Sequence, residues 1–256
     1  MAYTRVIGIL SGKGGVGKTT IAFNLGAAMA DQGKNVVLVD GNMTTPNLGI
    51  HAGLPLYPIT LHDVLRGKVD IYEVMHLLPN GLKIVPASIS VSDLEGVDPK
   101  FLGSHLRDLL GKVDYVIIDG APGLGGEALG VLRASDQVLG VATPDLPALT
   151  NLLKSIHMVK DSQREYLGTI INMHRNKSYE PKQEHIESML EDTPILETIP
   201  HDENIRYSLS KRIPVVHYKP NAYSSLKIKR LAGKITGNEF KIEWYRKYLS
   251  KMDFKR

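Results

Sequence analysis

The segment SGKGGVGKTT, residues Ser11–Thr20, contains the phosphate-loop spacing G-x-x-x-x-G-K-[ST]. It is the strongest indication of the fold in this sequence. An apolar run, Val6–Leu10, precedes it, and a stretch with helical periodicity, Lys18–Asp31, follows it. In such a strand–loop–helix unit, successive backbone N–H groups and the helix N-terminus point to one place, where phosphate oxygens bind. The segment therefore predicts that the chain binds a nucleotide through this loop.

Apolar runs alternate with helix-length segments along the rest of the chain. The runs that follow the loop are NVVLVD, LKIVPA, YVIID, VLGVA and GTIIN. Continuously apolar strands separated by helices are typical of a parallel sheet that is buried on both faces. The sequence therefore predicts an α/β fold, a doubly wound, mostly parallel sheet with helices on both faces. We expect one P-loop domain over residues 1–237 and a C-terminal amphipathic extension over residues 238–256.

The composition excludes several classes of function. The 256 residues include no cysteine, which removes disulfides, thiolate-held zinc and iron–sulfur clusters. No apolar run reaches the length of a membrane-spanning helix, and the N-terminus is interpreted as a first strand and not as a signal peptide. These features predict a cytoplasmic protein.

Two strand ends supply acidic side chains to the predicted phosphate site. NVVLVD ends at Asp40 and YVIID ends at Asp119. Lys18 is expected to reach the β- and γ-phosphates, and the hydroxyl group of Thr19 to bind Mg²⁺. Asp119 is expected to orient Mg²⁺ through its water, and Asp40 to reach the water shell of the metal or the attacking water. The predicted cofactors are therefore ATP or ADP with Mg²⁺. The predicted nucleotide contacts of the loop are Gly12, Lys13, Gly14, Gly15, Val16, Gly17, Lys18, Thr19 and Thr20.

KGGVGKTT with its extra lysine, Lys13, followed by VDGNM and VIIDGAPG, resembles the deviant Walker A ATPases of the MinD/ParA group. The resemblance covers nearly the whole chain, up to about Gly237. In that group the lysine is the signature residue, and it reaches across an ATP-bound dimer to the phosphates of the partner's nucleotide. The resemblance therefore implies an ATP-dependent homodimer in which Lys13 acts in trans, comparable to an arginine finger.

Other site residues follow from the same resemblance. Asn172, at the end of GTIIN, matches the adenine-recognising asparagine of the group. The segment IPHDENIRYSLSKRIPVV resembles the stretch that closes over the base, with Pro200 and His201 as the expected contacts. Asp145 matches an acidic position that lies near the signature lysine.

The chain also departs from the pattern of the group at two positions. Members of the group usually carry a second acid after the second strand, and here that position is Asn42. An amide can orient water but cannot accept its proton. A further acid that is common six residues after the Asp145 position is Asn151 here. The sequence therefore predicts catalytic positions at Lys13, Lys18, Asp40 and Asn42 with slow hydrolysis, and a nucleotide-binding module with negligible hydrolysis stays open as an alternative.

The C-terminal part of the chain is basic. Net charge is +11 from Asn204 to Arg256 and −7 over the residues before it. In a helix over Phe240–Phe254, the aromatic residues would occupy about half a turn opposite the charged ones, which is typical of an interfacial membrane helix. This helix occupies the position of the membrane-targeting helix of MinD. A final helix packed on the domain, and a DNA-binding surface, stay open as alternatives.

Together these features predict a MinD-like, ATP-driven dimerisation switch that regulates position in the cell, in division or in organelle or flagellum placement. The expected partners are the anionic surface at the inner face of the cell membrane and an activating protein. The alternative is a ParA-like ATPase that partitions chromosomes on DNA.

Overall fold

A computed structural model describes residues 3–54, 57–191, 193–238 and 240–241. Within these residues the chain forms one sheet of eight strands with helices between them. The strands are β1 (Arg5–Ser11), β2 (Val36–Gly41), β3 (His76–Leu77), β4 (Lys83–Val85), β5 (Tyr115–Pro122), β6 (Gln137–Ala142), β7 (Glu165–His174) and β8 (Ile195–Pro200). The α-helices are α1 (Lys18–Asp31), α2 (Leu48–His51), α3 (Leu61–Leu65), α4 (Leu102–Leu106), α5 (Gly126–Ala134), α6 (Leu146–Asp161), α7 (Gln183–Met189), α8 (Glu203–Ser210), α9 (Val215–Tyr218) and α10 (Tyr223–Thr236).

The strand order across the sheet is β3-β4-β2-β5-β1-β6-β7-β8. Every neighbouring pair is parallel except β3–β4, which is antiparallel. Chain order reverses at β1, and this is the switch point at which doubly wound sheets bind ligands beyond the carboxyl ends of their strands. The predicted fold class is therefore confirmed.

Alternate side chains of the central strand explain why helices cover both faces. Ile7 and Ile9 enter one apolar core, which α1, α6 and α10 complete. Val6 and Leu10 enter the other, which α3, α4 and α5 complete. A strand whose two faces are both buried needs an unbroken apolar run, and this is the pattern that identified the strand in the sequence.

Two strands escaped the sequence-based prediction. β8, ILETIP, has the polar residues Glu197 and Thr198 at its centre, so it lacks a continuous apolar run, and only Glu197 and Ile199 of its residues are buried. β3 has two residues and pairs antiparallel with β4 at the edge of the sheet. The segment from Gly41 to Pro58, which is rich in glycine, proline, asparagine and threonine, contains the one-turn helix α2. Its residues 55–56 are outside the described part of the chain.

The C-terminal boundary of the predicted domain falls next to a helix end. α10 ends at Thr236, and Gly237 caps it in the left-handed conformation with φ 77°. Glycine is favoured there because it has no Cβ to clash. The predicted tail helix, Phe240–Phe254, lies outside the described residues except for its first two positions. No helix within the described ranges is both long and apolar enough to span a membrane.

A buried ion-pair cluster joins β8 to α10. The side chain of Glu197 is 1% exposed, and its two oxygens accept hydrogen bonds from Arg230 Nε at 2.6 Å and Arg230 Nη2 at 2.8 Å. Lys227 Nζ donates to the same carboxylate at 2.8 Å. Burial raises the pKa of Glu197, but the hydrogen bonds from Arg230 and Lys227 outweigh burial and hold the pKa below its ordinary value. The cluster therefore stabilises the docking of α10 on the sheet while its carboxylate is ionised.

We predict that Glu197→Ala lowers the free energy of unfolding by about 3 kcal/mol, because it leaves two cations without their carboxylate. A folded-state pKa below the unfolded value means that this stabilisation is present above about pH 4.5 and is lost as the pH falls through the folded pKa. Urea unfolding between pH 3 and pH 8 measures both effects. The exposed Glu203→Ala is the matched control, with little expected change. An equal loss in both variants would contradict the role of the cluster.

Candidate functional site

The carboxyl ends of β2, β5 and β1 bring the predicted site residues to one edge of the sheet. Asp40 and Asp119 are register partners on β2 and β5, so their backbones lie side by side. β1 pairs with β5 on its other side and ends at Ser11, where the phosphate loop begins. The acids and the loop are thus placed together by strand pairing, as the sequence predicted.

The phosphate loop has a backbone that only small residues allow. Gly15 and Gly17 adopt left-handed conformations, with φ of 78° and 91°. A Cβ on Gly17 would lie 2.4 Å from Asn172 Nδ2, and one on Gly12 would lie 2.3 Å from the backbone of Asn151. Glycine is therefore required by backbone conformation and by close approach. The loop ends where α1 begins, at Lys18, so the helix N-terminus points into it.

Lys18 is nearly buried beneath this loop. Its ammonium group donates a hydrogen bond to Ser11 Oγ at 2.8 Å, and the residue is 7% exposed. Burial lowers the pKa of Lys18, and the charge of Asp119 opposes that shift. Its side-chain bond goes to a neutral hydroxyl group, so the cation is held in place without being neutralised in direct contact. An anion such as a phosphate is the complement that this arrangement favours.

Asp119 has the features of a metal-binding carboxylate. It is fully buried, and within the described residues neither of its oxygens makes a hydrogen bond of normal geometry. Burial raises its pKa to about 6, although the nearby Thr19 hydroxyl group and Lys18 act in the opposite direction. A buried carboxylate without partners is costly unless a cation compensates it. The hydroxyl of Thr19 and the carboxylate of Asp119 therefore fit Mg²⁺, a cation that prefers oxygen ligands.

Asp40 carries a structural load that the sequence did not reveal. Its Oδ1 accepts the N–H of Asn42 at 3.2 Å, and its Oδ2 accepts the N–H of Leu48 at 3.1 Å. Burial and the neighbouring charge of Asp119 raise the pKa of Asp40 well above its ordinary value, and the backbone N–H groups partly offset this. Asp40 therefore holds the loop between β2 and α2 in addition to facing Asp119. Its predicted contact with the water shell of the metal stays a prediction.

The side chain of Asn42 is used inside the same loop. Its Nδ2 donates to the carbonyl of Thr45 at 2.7 Å, and its Oδ1 accepts from the Thr45 hydroxyl group at 3.1 Å. An aspartate here would place a carboxylate oxygen against the carbonyl of Thr45. The amide thus has a definite structural role, and its catalytic role remains a prediction.

Lys13 extends to a different place from Lys18. Its Nζ lies 3.4 Å from Asp145 Oδ1, and its side chain is 48% exposed. Asp145 caps α6 by accepting the N–H of Ala148 at 3.0 Å, and it also accepts the Thr143 hydroxyl group. Burial raises the pKa of Asp145, but these donors and Lys13 outweigh it and lower the pKa below its ordinary value. Lys13 therefore makes an exposed ion pair with Asp145 of its own chain.

The residues predicted to contact the base form two groups. Asn172 is 2% exposed, donates from Nδ2 to the carbonyl of Val16 at 2.8 Å, and leaves its buried Oδ1 without a partner among the described residues. Pro200 and His201 line a cavity of about 440 Å³, together with His174, Arg175, Asn176 and Tyr223. Asn172 thus braces the phosphate loop and is not among the residues that line this cavity. Adenine contact by these three residues stays a prediction.

Several residues at the site were missed by sequence reasoning. Ser11 holds Lys18, and its own hydroxyl group donates to the carbonyl of Lys13 at 2.8 Å. Its position directly before Gly12 was a usable signal. Glu127, in the first turn of α5, accepts hydrogen bonds from Thr44, which lies on a loop far away in the chain. No local pattern marks such a pair.

Comparisons with known proteins agree with this geometry. A family model described as an AAA domain matches residues 4–170. An uncharacterized ATP-binding protein of Methanocaldococcus jannaschii is 33% identical over 94% of this chain and 91% of its own length. The septum site-determining protein MinD of Thermotoga maritima is 32% identical over 93% of this chain and 90% of its own length. The chromosome partitioning protein ParA of Caulobacter vibrioides is 32% identical over 92% of this chain and 95% of its own length.

A solved structure is similar over nearly the same range. The septum site-determining protein MinD from Pyrococcus horikoshii, complexed with Mg-ADP, superimposes with a TM-score of 0.87. It is 32% identical, and the match covers 91% of this chain and 96% of that one. ATP or ADP with Mg²⁺, the cofactors predicted from the sequence, are therefore consistent with the proteins that this chain resembles.

We predict that Asp119→Asn raises the free energy of unfolding of the metal- and nucleotide-free protein by about 2 kcal/mol at pH 8. A folded pKa of about 6 lies above the unfolded value near 3.8, so the wild type loses stability as the pH rises from about 4 to about 6. Thermal melts across this range measure both effects, with the surface variant Asp108→Asn as control.

The same melts with MgADP added measure the stability that each protein gains from the ligand, and here the wild type should have the advantage. The wild type should gain stability from the ligand, and Asp119→Asn should gain much less because it cannot compensate the metal charge. Two outcomes would contradict the metal-site assignment. Either Asp119→Asn is no more stable than the wild type without ligand, or it gains as much stability from MgADP as the wild type does.

Proposed function

This chain belongs to the MinD/ParA-type P-loop ATPases, and we propose that it is an ATP-driven dimerisation switch of the MinD-like, spatially regulating kind. The observation that carries the proposal is the position of Lys13. Its side chain is half exposed and its ammonium group is paired with Asp145, whereas Lys18 is buried near Asp119. A cation presented outward from a phosphate loop is suited to the phosphates of a second copy. We infer that it is the deviant Walker A signature lysine.

The other residues supply binding and positioning. The loop amides and Lys18 would bind the phosphates, and Thr19 and Asp119 would hold Mg²⁺, which when bound would neutralise charge that develops on the phosphates. Asp40 and Asn42 keep the adjoining loop in place. Asn42 cannot accept a proton from water, so intrinsic hydrolysis is slow and a protein partner accelerates it. In this scheme the dimer forms with ATP and reopens after hydrolysis.

We propose that the C-terminal extension, residues 238–256, carries the output. Its aromatic and basic residues suit an anionic membrane surface, which would place a cytoplasmic protein on the inner face of the cell membrane. Two copies on one dimer share a membrane, so the second contact is intramolecular and avidity rises. ATP would thus convert weak membrane contact into stable contact.

A ParA-like role on DNA is the second candidate. Two observations favour it: the 32% identity with the Caulobacter vibrioides ParA, and the net charge of +11 over Asn204–Arg256. A basic surface binds DNA through its phosphates and does so with strong salt dependence. Membrane and DNA binding are separated by the second experiment below.

We predict that Lys13→Ala retains MgATP binding but loses the ATP-dependent dimer and ATP turnover, because the trans cation is absent. Calorimetry measures binding, and sedimentation velocity measures the dimer. Lys18→Ala is the matched control, since it removes the buried cation and should abolish MgATP binding itself. Normal ATP-dependent dimerisation of Lys13→Ala would refute the trans role.

We predict that truncation after Gly237 removes ATP-dependent flotation with anionic liposomes and leaves ATP-dependent dimerisation intact. A DNA shift assay, run with and without ATP on the same two proteins, tests the ParA-like alternative. DNA binding without flotation by the full-length chain would favour that alternative. A large drop in the melting midpoint of the truncated protein, without flotation of the full-length chain, would mean that the tail is part of the core.

A further inference from the structure

A pair of hydrogen bonds joins the loop that follows Asp40 to the first turn of α5, the helix that follows Asp119. Loop 42–47 lies between β2 and α2 and begins two residues after Asp40, and residues 123–125 lie between β5 and α5, shortly after Asp119. The backbone N–H of Thr44 donates to Glu127 Oε1 at 3.0 Å, and the Thr44 hydroxyl group donates to the same oxygen. In the part of the chain that the structure describes, these are the hydrogen bonds between loop 42–47 and α5.

We call these two hydrogen bonds between Thr44 and Glu127 the clasp. The elements on its two sides differ in rigidity. Glu127 is in the first turn of α5, where a carboxylate interacts favourably with the helix N-terminus. α5 itself is anchored by the buried side chains of Ala128, Val131 and Leu132. Thr44 is exposed, on a loop held from within by the Asn42–Thr45 bonds and at its ends by Asp40. Glu127 is therefore a fixed anchor and loop 42–47 is the element that it restrains.

The clasp is placed where it can affect chemistry. The sheet already fixes the backbones of Asp40 and Asp119 as register partners, so the clasp is not needed to bring the acids together. It instead fixes the chain that continues beyond Asp40 and carries Asn42. Residues that position the attacking water must be held in one place, because small displacements lower the rate of hydrolysis.

We propose that Glu127 is a positioning residue for ATP hydrolysis, which holds loop 42–47 against α5 by accepting both donors of Thr44. The proposal rests on the ATPase function proposed above. It assigns Glu127 no contact with nucleotide or metal. Removal of the clasp should therefore affect the catalytic rate and not the binding of MgATP.

The test is a double-mutant cycle on the full chain with MgATP. Glu127→Ala removes the acceptor of both hydrogen bonds and should lower kcat about tenfold, with KM changed less than about twofold. Thr44→Val removes only the hydroxyl donor and keeps the backbone N–H, so it should lower kcat by a smaller factor, about threefold. The double variant should be no slower than Glu127→Ala alone, because that substitution already removes the hydrogen bond that Thr44→Val deletes. Glu127→Gln keeps an acceptor oxygen and Thr44→Ser keeps both donors, so these conservative variants should restore most of the rate.

Two controls separate the clasp from general effects. Glu184→Ala removes a carboxylate from the first turn of α7, which matches the helix position but not the contact, and should leave kcat unchanged. The hydrogen-exchange rate of the Thr44 amide in the nucleotide-free protein reports whether the clasp is formed, and it does not depend on ATP turnover. It should be at least about fivefold faster in Glu127→Ala than in the wild type.

The outcomes are distinct. Faster exchange with a non-additive loss of kcat supports the proposal. Unchanged exchange, additive losses, or a loss in KM alone overturns it while the wild type still turns over ATP. A wild type that binds MgATP without turning it over would instead refute the proposed ATPase function, and with it any positioning role for Glu127 in hydrolysis.

Discussion

The structure depends on one constraint, the parallel register that sets Asp40 and Asp119 side by side at the carboxyl ends of β2 and β5. Both carboxyl groups are buried, and burial together with mutual repulsion raises the pKa of Asp40. Two adjacent buried acids are unfavourable by themselves. Lys18 nearby supplies part of the compensation, and a divalent cation would supply the rest.

The loop glycines follow from the same constraint. The acids are useful only if phosphates lie close to them, and close approach requires a backbone without Cβ atoms at Gly12 and Gly17. Asn172 and the backbone of Asn151 fill the space that those side chains would need. The phosphate loop is thus packed between Asn172 of β7 and Asn151 of α6. A movement of α6 would therefore displace the loop that carries Lys13.

Local patterns predicted the parts of this arrangement that depend on neighbouring residues in the chain. The phosphate loop, Asp40 and Asp119 were identified because each follows a continuous apolar strand, and the family resemblance pointed to Asp145. β8 was missed because Glu197 and Thr198 interrupt its apolar residues, so it lacks such a run. The pairs Thr44–Glu127 and Glu197–Arg230 could not be predicted, since each joins residues that only the tertiary fold brings together.

The Glu197 cluster has a consequence for the basic C-terminal region. Lys227 and Arg230 are counted in its net charge, yet both are already paired with a buried carboxylate. Ions that condense near an anionic polymer or bilayer are displaced by cations that reach its surface, and each such cation steepens the fall of affinity with salt. The formal charge of this region therefore overstates the number of counterions that it can release. The electrostatic valence of α10 toward any polyanion is smaller than its sequence suggests.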